Sequence, residues 1–71
     1  MKEQKIAVIG FGLWGRNIVR NFYNLNVLEM VCDLEDESLK TVQEQFPGVK
    51  TTKDFNDIIN NDAITGVAVV T

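Results

Sequence analysis

Three glycines and one carboxylate carry the chemistry that this sequence of 71 residues offers. Gly10, Gly12 and Gly15 stand as Gly-x-Gly-x-x-Gly, and Asp33 follows at close to the roughly 20-residue distance expected of a partner acid. Alone, that glycine spacing is weak. Here it follows an apolar, β-branched run, Lys5–Ile9, it opens a helical pattern from Leu13, and Asp33 closes the next apolar run. Each glycine then has a physical task. Gly10 allows a tight turn out of a strand. Gly12 lacks a side chain, so a diphosphate can approach the backbone. Gly15 lets the helix lie close on the strand. Free N–H groups at the positive end of the helix dipole meet the phosphates. Gly10, Phe11, Gly12, Leu13, Trp14 and Gly15 are therefore candidate diphosphate-loop residues. The competing reading is a glycine-rich turn that binds nothing.

Asp33 sets the selectivity of such a site. A carboxylate at a strand tip accepts hydrogen bonds from adenosine ribose hydroxyls and repels a 2′-phosphate. The next residues, Leu34-Glu35-Asp36-Glu37, add negative charge and no Arg, so the expected cofactor is NAD rather than NADP. Leu34 is placed near the adenine face. The competing reading is that Asp33 merely caps the following helix, and the two roles are compatible. Thr71 ends the last apolar run, where the crevice of a doubly wound sheet opens, and is a candidate cofactor contact. Arg16 reads either as a solvated surface cation or as a neutraliser of diphosphate charge. Trp14 reads as a helix core residue contributing its backbone N–H to phosphate, and Cys32 as a small buried hydrophobe.

The elements that position these residues follow from periodicity. Lys5–Ile9 predicts a buried parallel strand. Trp14, Ile18 and Phe22, widened by Val19 and Leu25, predict a helix ending near Asn24 or Asn26. Val27–Asp33 predicts a second strand; Glu29 is out of place in a central strand, so the buried part is expected to be Met30–Asp33. A helix beginning at the acidic cluster Glu35–Glu37 carries the stripe Leu39, Val42, Phe46 and stops at Pro47-Gly48. Val49–Thr51 predicts an edge strand. Asp54 caps a short helix with Phe55, Ile58 and Ile59 facing inward, and Gly66–Thr71 predicts a fourth strand. Strands alternating with helices give an α/β fold with a parallel sheet. The expected architecture is a half Rossmann fold, strand order 3-2-1-4, with residues 1–71 the truncated N-terminal portion of a dinucleotide-binding domain. A bare final strand, 67–70, is expected to drive self-association.

Composition narrows the remaining classes. Seven Lys and Arg against ten Asp and Glu give a net charge of -3, so no basic surface for nucleic acid is expected. There is no His and one Cys, which excludes the usual zinc sites and the Ser-His-Asp and Cys-His catalysts. No run is long enough to span a bilayer, and a cytoplasmic location is expected. No catalytic residue and no metal ligand is assigned.

The stretches KIAVIGFGLWGRNIVRNF, VCD, PGVKTTKDFNDIIN and GVAVVT resemble the N-terminal region of the Gfo/Idh/MocA oxidoreductases. The segment from Gly12 through Trp14, Gly15, Asn17, Arg20 and Asn21 to Phe22 is most similar to members acting on nucleotide sugars. The resemblance implies Gly10–Gly15 as the pyrophosphate loop, Asp33 as the ribose carboxylate and Thr71 as a strand-end residue near the cofactor. It further implies hydride transfer between a sugar or nucleotide-sugar carbon and nicotinamide. The catalytic Lys and the substrate domain would lie beyond residue 71. Two other readings share the same residues: a non-catalytic NAD-sensing or scaffold module, and a fragment that has lost ligand binding.

Overall fold

The computed structural model describes residues 4–70, with Leu13 and Trp14 described by their backbone alone. In chain order the elements are β1 (Ile6–Ile9), α1 (Leu13–Asn24), β2 (Leu28–Cys32), α2 (Asp36–Gln45), β3 (Lys50–Thr52), α3 (Asn56–Ile59) and β4 (Gly66–Val69). The strands pair in the order β3-β2-β1-β4, and all three pairings are parallel. This is the α/β arrangement expected from the alternation of strands and helices, a parallel sheet of order 3-2-1-4. Thr71, the proposed strand-end contact, lies outside the described residues.

Alternation along the strands divides the core into two layers. Val8 and Val31 face α1 and α2, where they join Phe11, Val19, Val42, Phe46 and Val49. Ala7, Met30 and Cys32 face the other way and meet Ile58 of α3. The first layer is well covered. Tyr23 of α1 and Phe46 at the end of α2 hold their rings 5.1 Å apart at 59°, a tilted geometry favoured by aromatic quadrupoles. On the second layer, among the described residues, the four-residue α3 and Ile64 pack over the sheet, and Val67 and Val69 of β4 remain 48% and 67% exposed.

Three inward expectations need correction. Leu25 is 68% exposed because α1 ends at Asn24 and the chain turns through Asn26 at φ 60. Asn is among the few residues that tolerate this left-handed conformation. Phe55 and Ile59 are 48% and 60% exposed, since α3 makes little more than one turn and directs only Ile58 into the core. The cap position of α3 falls on Phe55, which makes no side-chain capping bond, rather than on Asp54; one residue earlier, Asp54 Oδ1 accepts the Asn56 N–H at 2.9 Å in a local turn that leads into the helix. Glu29 falls where the β1–β2 register shifts. Ile6 pairs with Leu28, but Ala7 pairs with Met30, so Glu29 has no partner on β1. Its carboxylate instead receives the Lys50 ammonium of β3 at 2.9 Å, which resolves the awkward acid in a central strand.

Candidate functional site

The carboxyl ends of β1, β2 and β3 converge on the turn between β1 and α1. Gly10 sits there at φ 101, a conformation that L side chains rarely adopt. Its N–H donates to Cys32 O at 2.8 Å, the last main-chain rung between β1 and β2. Phe11 turns its side chain into the core, where it is 2% exposed, so it anchors the turn from beneath. The Arg16 guanidinium lies 5.6 Å above that ring, a cation–π contact that gives Arg16 a position at the mouth of the turn.

Gly12 precedes α1 in an extended conformation and makes no side-chain capping bond, and the first turn of α1 contains no acidic residue. The opening N–H groups of a helix lack intrahelical partners, so those of α1 stand at its positive end without a carboxylate of the same turn to neutralise them. A Cβ added at Gly12 would meet nothing within 4 Å, so open space lies over this backbone. Gly15 has the opposite environment. A Cβ there would fall 2.6 Å from the Gly10 carbonyl oxygen, so α1 rests directly on the turn.

Asp33 follows the last residue of β2 rather than ending the strand. Its N–H still donates to Thr52 O of β3 at 3.1 Å. The side chain is half-buried and holds two backbone donors. Oδ2 accepts the Phe11 N–H at 2.8 Å, and Oδ1 accepts the Glu35 N–H at 2.8 Å. The second bond is the local turn that leads into α2, whose cap position, Glu35, makes no side-chain capping bond of its own. A carboxylate has about four lone-pair sites, so two remain for other donors.

Beside Asp33 a cleft of about 470 Å³ is lined by Ile9, Gly10, Cys32, Asp33, Leu34, Glu35, Lys53 and Phe55. It joins Gly10 and Asp33, 23 positions apart in sequence, to Lys53, which the sequence pattern did not single out, and to Phe55, which it assigned to the core. Lys53 reaches it from the loop after β3 and pairs with Asp36 Oδ1 at 2.7 Å. Phe55 presents an exposed ring, and Leu34 is 81% exposed. The only sequence signal for Lys53 and Phe55 was their place just past the third strand, at the same end of the sheet as the glycine turn. Burial, joined by the carboxylates of Asp33, Asp54 and Asp57, pushes the Cys32 thiol above its ordinary range, which makes it a poor nucleophile at neutral pH.

Of the sequence-derived candidates, Gly10, Phe11, Gly12, Gly15, Asp33 and the backbone of Leu13 and Trp14 gather around one turn, and Leu34 lines the adjoining cleft. The side chains of Leu13 and Trp14 and all of Thr71 lie outside the described residues. Among the described residues no three His, Cys, Asp or Glu side chains gather as a metal site. Among them, too, no helix is long and apolar enough to cross a membrane.

No family model matches the sequence, and no curated protein matches it at a significant level. Two solved structures share the fold. An NAD-binding protein from Listeria innocua superposes with a TM-score of 0.83 over 99% of this chain, at 18% identity. The WlbA dehydrogenase from Chromobacterium violaceum, crystallised with NADH and UDP-GlcNAcA, superposes with a TM-score of 0.80 over 100% of this chain, at 20% identity. The chain spans 21% of the length of each.

Proposed function

We propose that this chain is the adenosine-diphosphate-binding portion of an NAD-dependent oxidoreductase of the Gfo/Idh/MocA type, acting on a sugar or nucleotide sugar. One observation carries the reading: Gly12 leaves open space over the start of α1, and Asp33 stands across the same turn with lone pairs to spare. The residues fit the group. The backbone of Gly10–Gly15 would hold the diphosphate, Asp33 the ribose hydroxyls, and the Leu34–Phe55 cleft the adenine. Nicotinamide, when bound, supplies hydride exchange with a carbon bearing a hydroxyl. In this reading the chain binds and orients the cofactor.

The sugar assignment rests on the resemblance of the motif around Gly12–Phe22 and is supported by the fold shared with a dehydrogenase crystallised with a nucleotide sugar. A cytoplasmic site of action belongs to the same proposal and suits a lone free thiol. Calorimetric titration of the chain with NAD and then NADP tests the reading. Saturable NAD binding, weaker for NADP, is expected. Tighter NADP binding overturns the role of Asp33, and no binding of either dinucleotide or of ADP overturns the site.

A further inference from the structure

We propose that Asp33 is a positioning residue for the diphosphate loop as well as the ribose carboxylate. Ribose selection and phosphate binding then depend on one side chain. The inference rests on the dinucleotide reading above and adds a coupling that the reading does not require.

The main-chain ladder between β1 and β2 ends at the bond from Gly10 N–H to Cys32 O, 2.8 Å. The next donor along the turn is Phe11 N–H, and no β2 carbonyl follows to accept it. Asp33 Oδ2 takes that place at 2.8 Å, adding a rung built from a side chain. Asp33 is itself fixed from two sides: its own N–H bonds Thr52 O at 3.1 Å, and its Oδ1 holds Glu35 N–H at 2.8 Å. The carboxylate therefore ties the glycine turn after β1 to the start of α2, and it does so from a residue whose backbone is bonded to β3. Phe11 has its ring 2% exposed below the turn, so the tether fixes the backbone above an already anchored side chain. With the turn held at Phe11, the Gly12 backbone and the first N–H groups of α1 are presented in one arrangement before any ligand arrives. Preorganisation of this kind strengthens binding by removing an ordering cost.

Two ligands separate the roles. ADP carries both ribose hydroxyls, and 2′,3′-dideoxy-ADP carries neither. If Asp33 only bound ribose, Asp33→Ala would leave the affinity for dideoxy-ADP unchanged. The tether predicts that Asp33→Ala weakens dideoxy-ADP by roughly tenfold, the scale of one lost hydrogen bond to a charged acceptor. Asp33→Asn keeps one acceptor oxygen for Phe11 N–H and is expected to recover most of the dideoxy-ADP affinity while losing part of the preference for ADP. Amide hydrogen exchange without ligand gives an independent reading. In Asp33→Ala, exchange at Phe11 and Glu35 should rise at least about tenfold while Val8 and Val31 in the sheet keep their protection. Should Asp33→Ala fail to fold, Asp33→Asn carries the exchange test, with the faster exchange appearing at whichever of Phe11 and Glu35 loses the oxygen. Unchanged exchange at both amides, or dideoxy-ADP affinity equal to the unmodified chain in a folded Asp33→Ala, overturns the tether. Failure of the unmodified chain to bind ADP at all overturns the proposed function instead, and the exchange result then decides the tether alone.

Discussion

Replacing Gly15 with Ala sets two magnitudes against each other. In an open helix interior Gly→Ala stabilises by about 1 kcal/mol. Here the new methyl would lie 2.6 Å from the Gly10 carbonyl oxygen and 3.1 Å from its carbon, where ordinary contact begins near 3.4 Å. Both are backbone atoms, held by the Gly10–Cys32 rung, so α1 or the turn must shift by roughly 0.8 Å. Overpacking of this order costs about 1–3 kcal/mol. The net expectation is a loss of about 1 kcal/mol. With a urea slope of about 1 kcal/mol/M for a chain of this size, the midpoint followed by far-ultraviolet circular dichroism should fall by roughly 1 M. Gly12→Ala is the control: its methyl meets nothing within 4 Å, and φ -77 suits Ala. Its stability should change by no more than about 0.5 kcal/mol, the scale of an N-cap exchange. Its affinity for ADP should nevertheless drop at least about tenfold, because the methyl occupies the approach to the backbone. A higher urea midpoint for Gly15→Ala would show that α1 does not bear on the turn. Full ADP affinity in Gly12→Ala would remove the phosphate site.

Phe55→Ala should weaken ADP by roughly tenfold in a calorimetric titration, the scale of one base–aromatic stack; an unchanged affinity would take adenine out of the Leu34–Phe55 cleft. Because the native state holds the Cys32 proton more tightly than the unfolded chain, stability should decline as pH rises through the ordinary thiol range near about 8.5. Cys32→Ala should flatten that part of the urea-midpoint profile, and an identical slope in both chains would refute the shift. β4 forms one edge of the sheet, and Val70 N–H bonds back to Ile9 O, so alternation turns Val69 N–H outward. The 71-residue chain is expected to self-associate through this edge, and Val69→Pro to abolish it in sedimentation velocity; a monomeric unmodified chain at high concentration would sink the idea.

Periodicity and punctuation made the elements and the glycine turn legible, because both are local signals: a β-branched run, a break, then a helical stripe; the sheet order followed only from the half Rossmann architecture that they implied. Asp33 was legible as an acid at a strand tip. Its hold on Phe11 was not, since nothing in the sequence states which backbone donors two neighbouring turns leave without partners. Phe11 itself read as a loop residue, yet its ring is core and only its N–H belongs to the turn. Phe55 and Ile59 were misplaced for a different reason. A four-residue helix is too short for a 3.6-residue period to choose a face, and Ile58 alone satisfied it. The partner of Glu29 was hidden because a register shift moves a residue out of the alternation that the sequence pattern assumes.

The central strand β1 borders both β2 and β4, so Ile6 lies beside Leu28 on one flank and Gly66 on the other. A ribosome adding roughly 5–20 residues per second reaches these neighbours several seconds apart. Through that interval the nascent IAVI segment keeps one flank of backbone N–H and C=O groups unpaired, open to pairing with a wrong strand. Meanwhile the turn, its helix and the Asp33 tether all come from the earlier part of the chain. The grip is thus specified before the sheet that will brace it is complete.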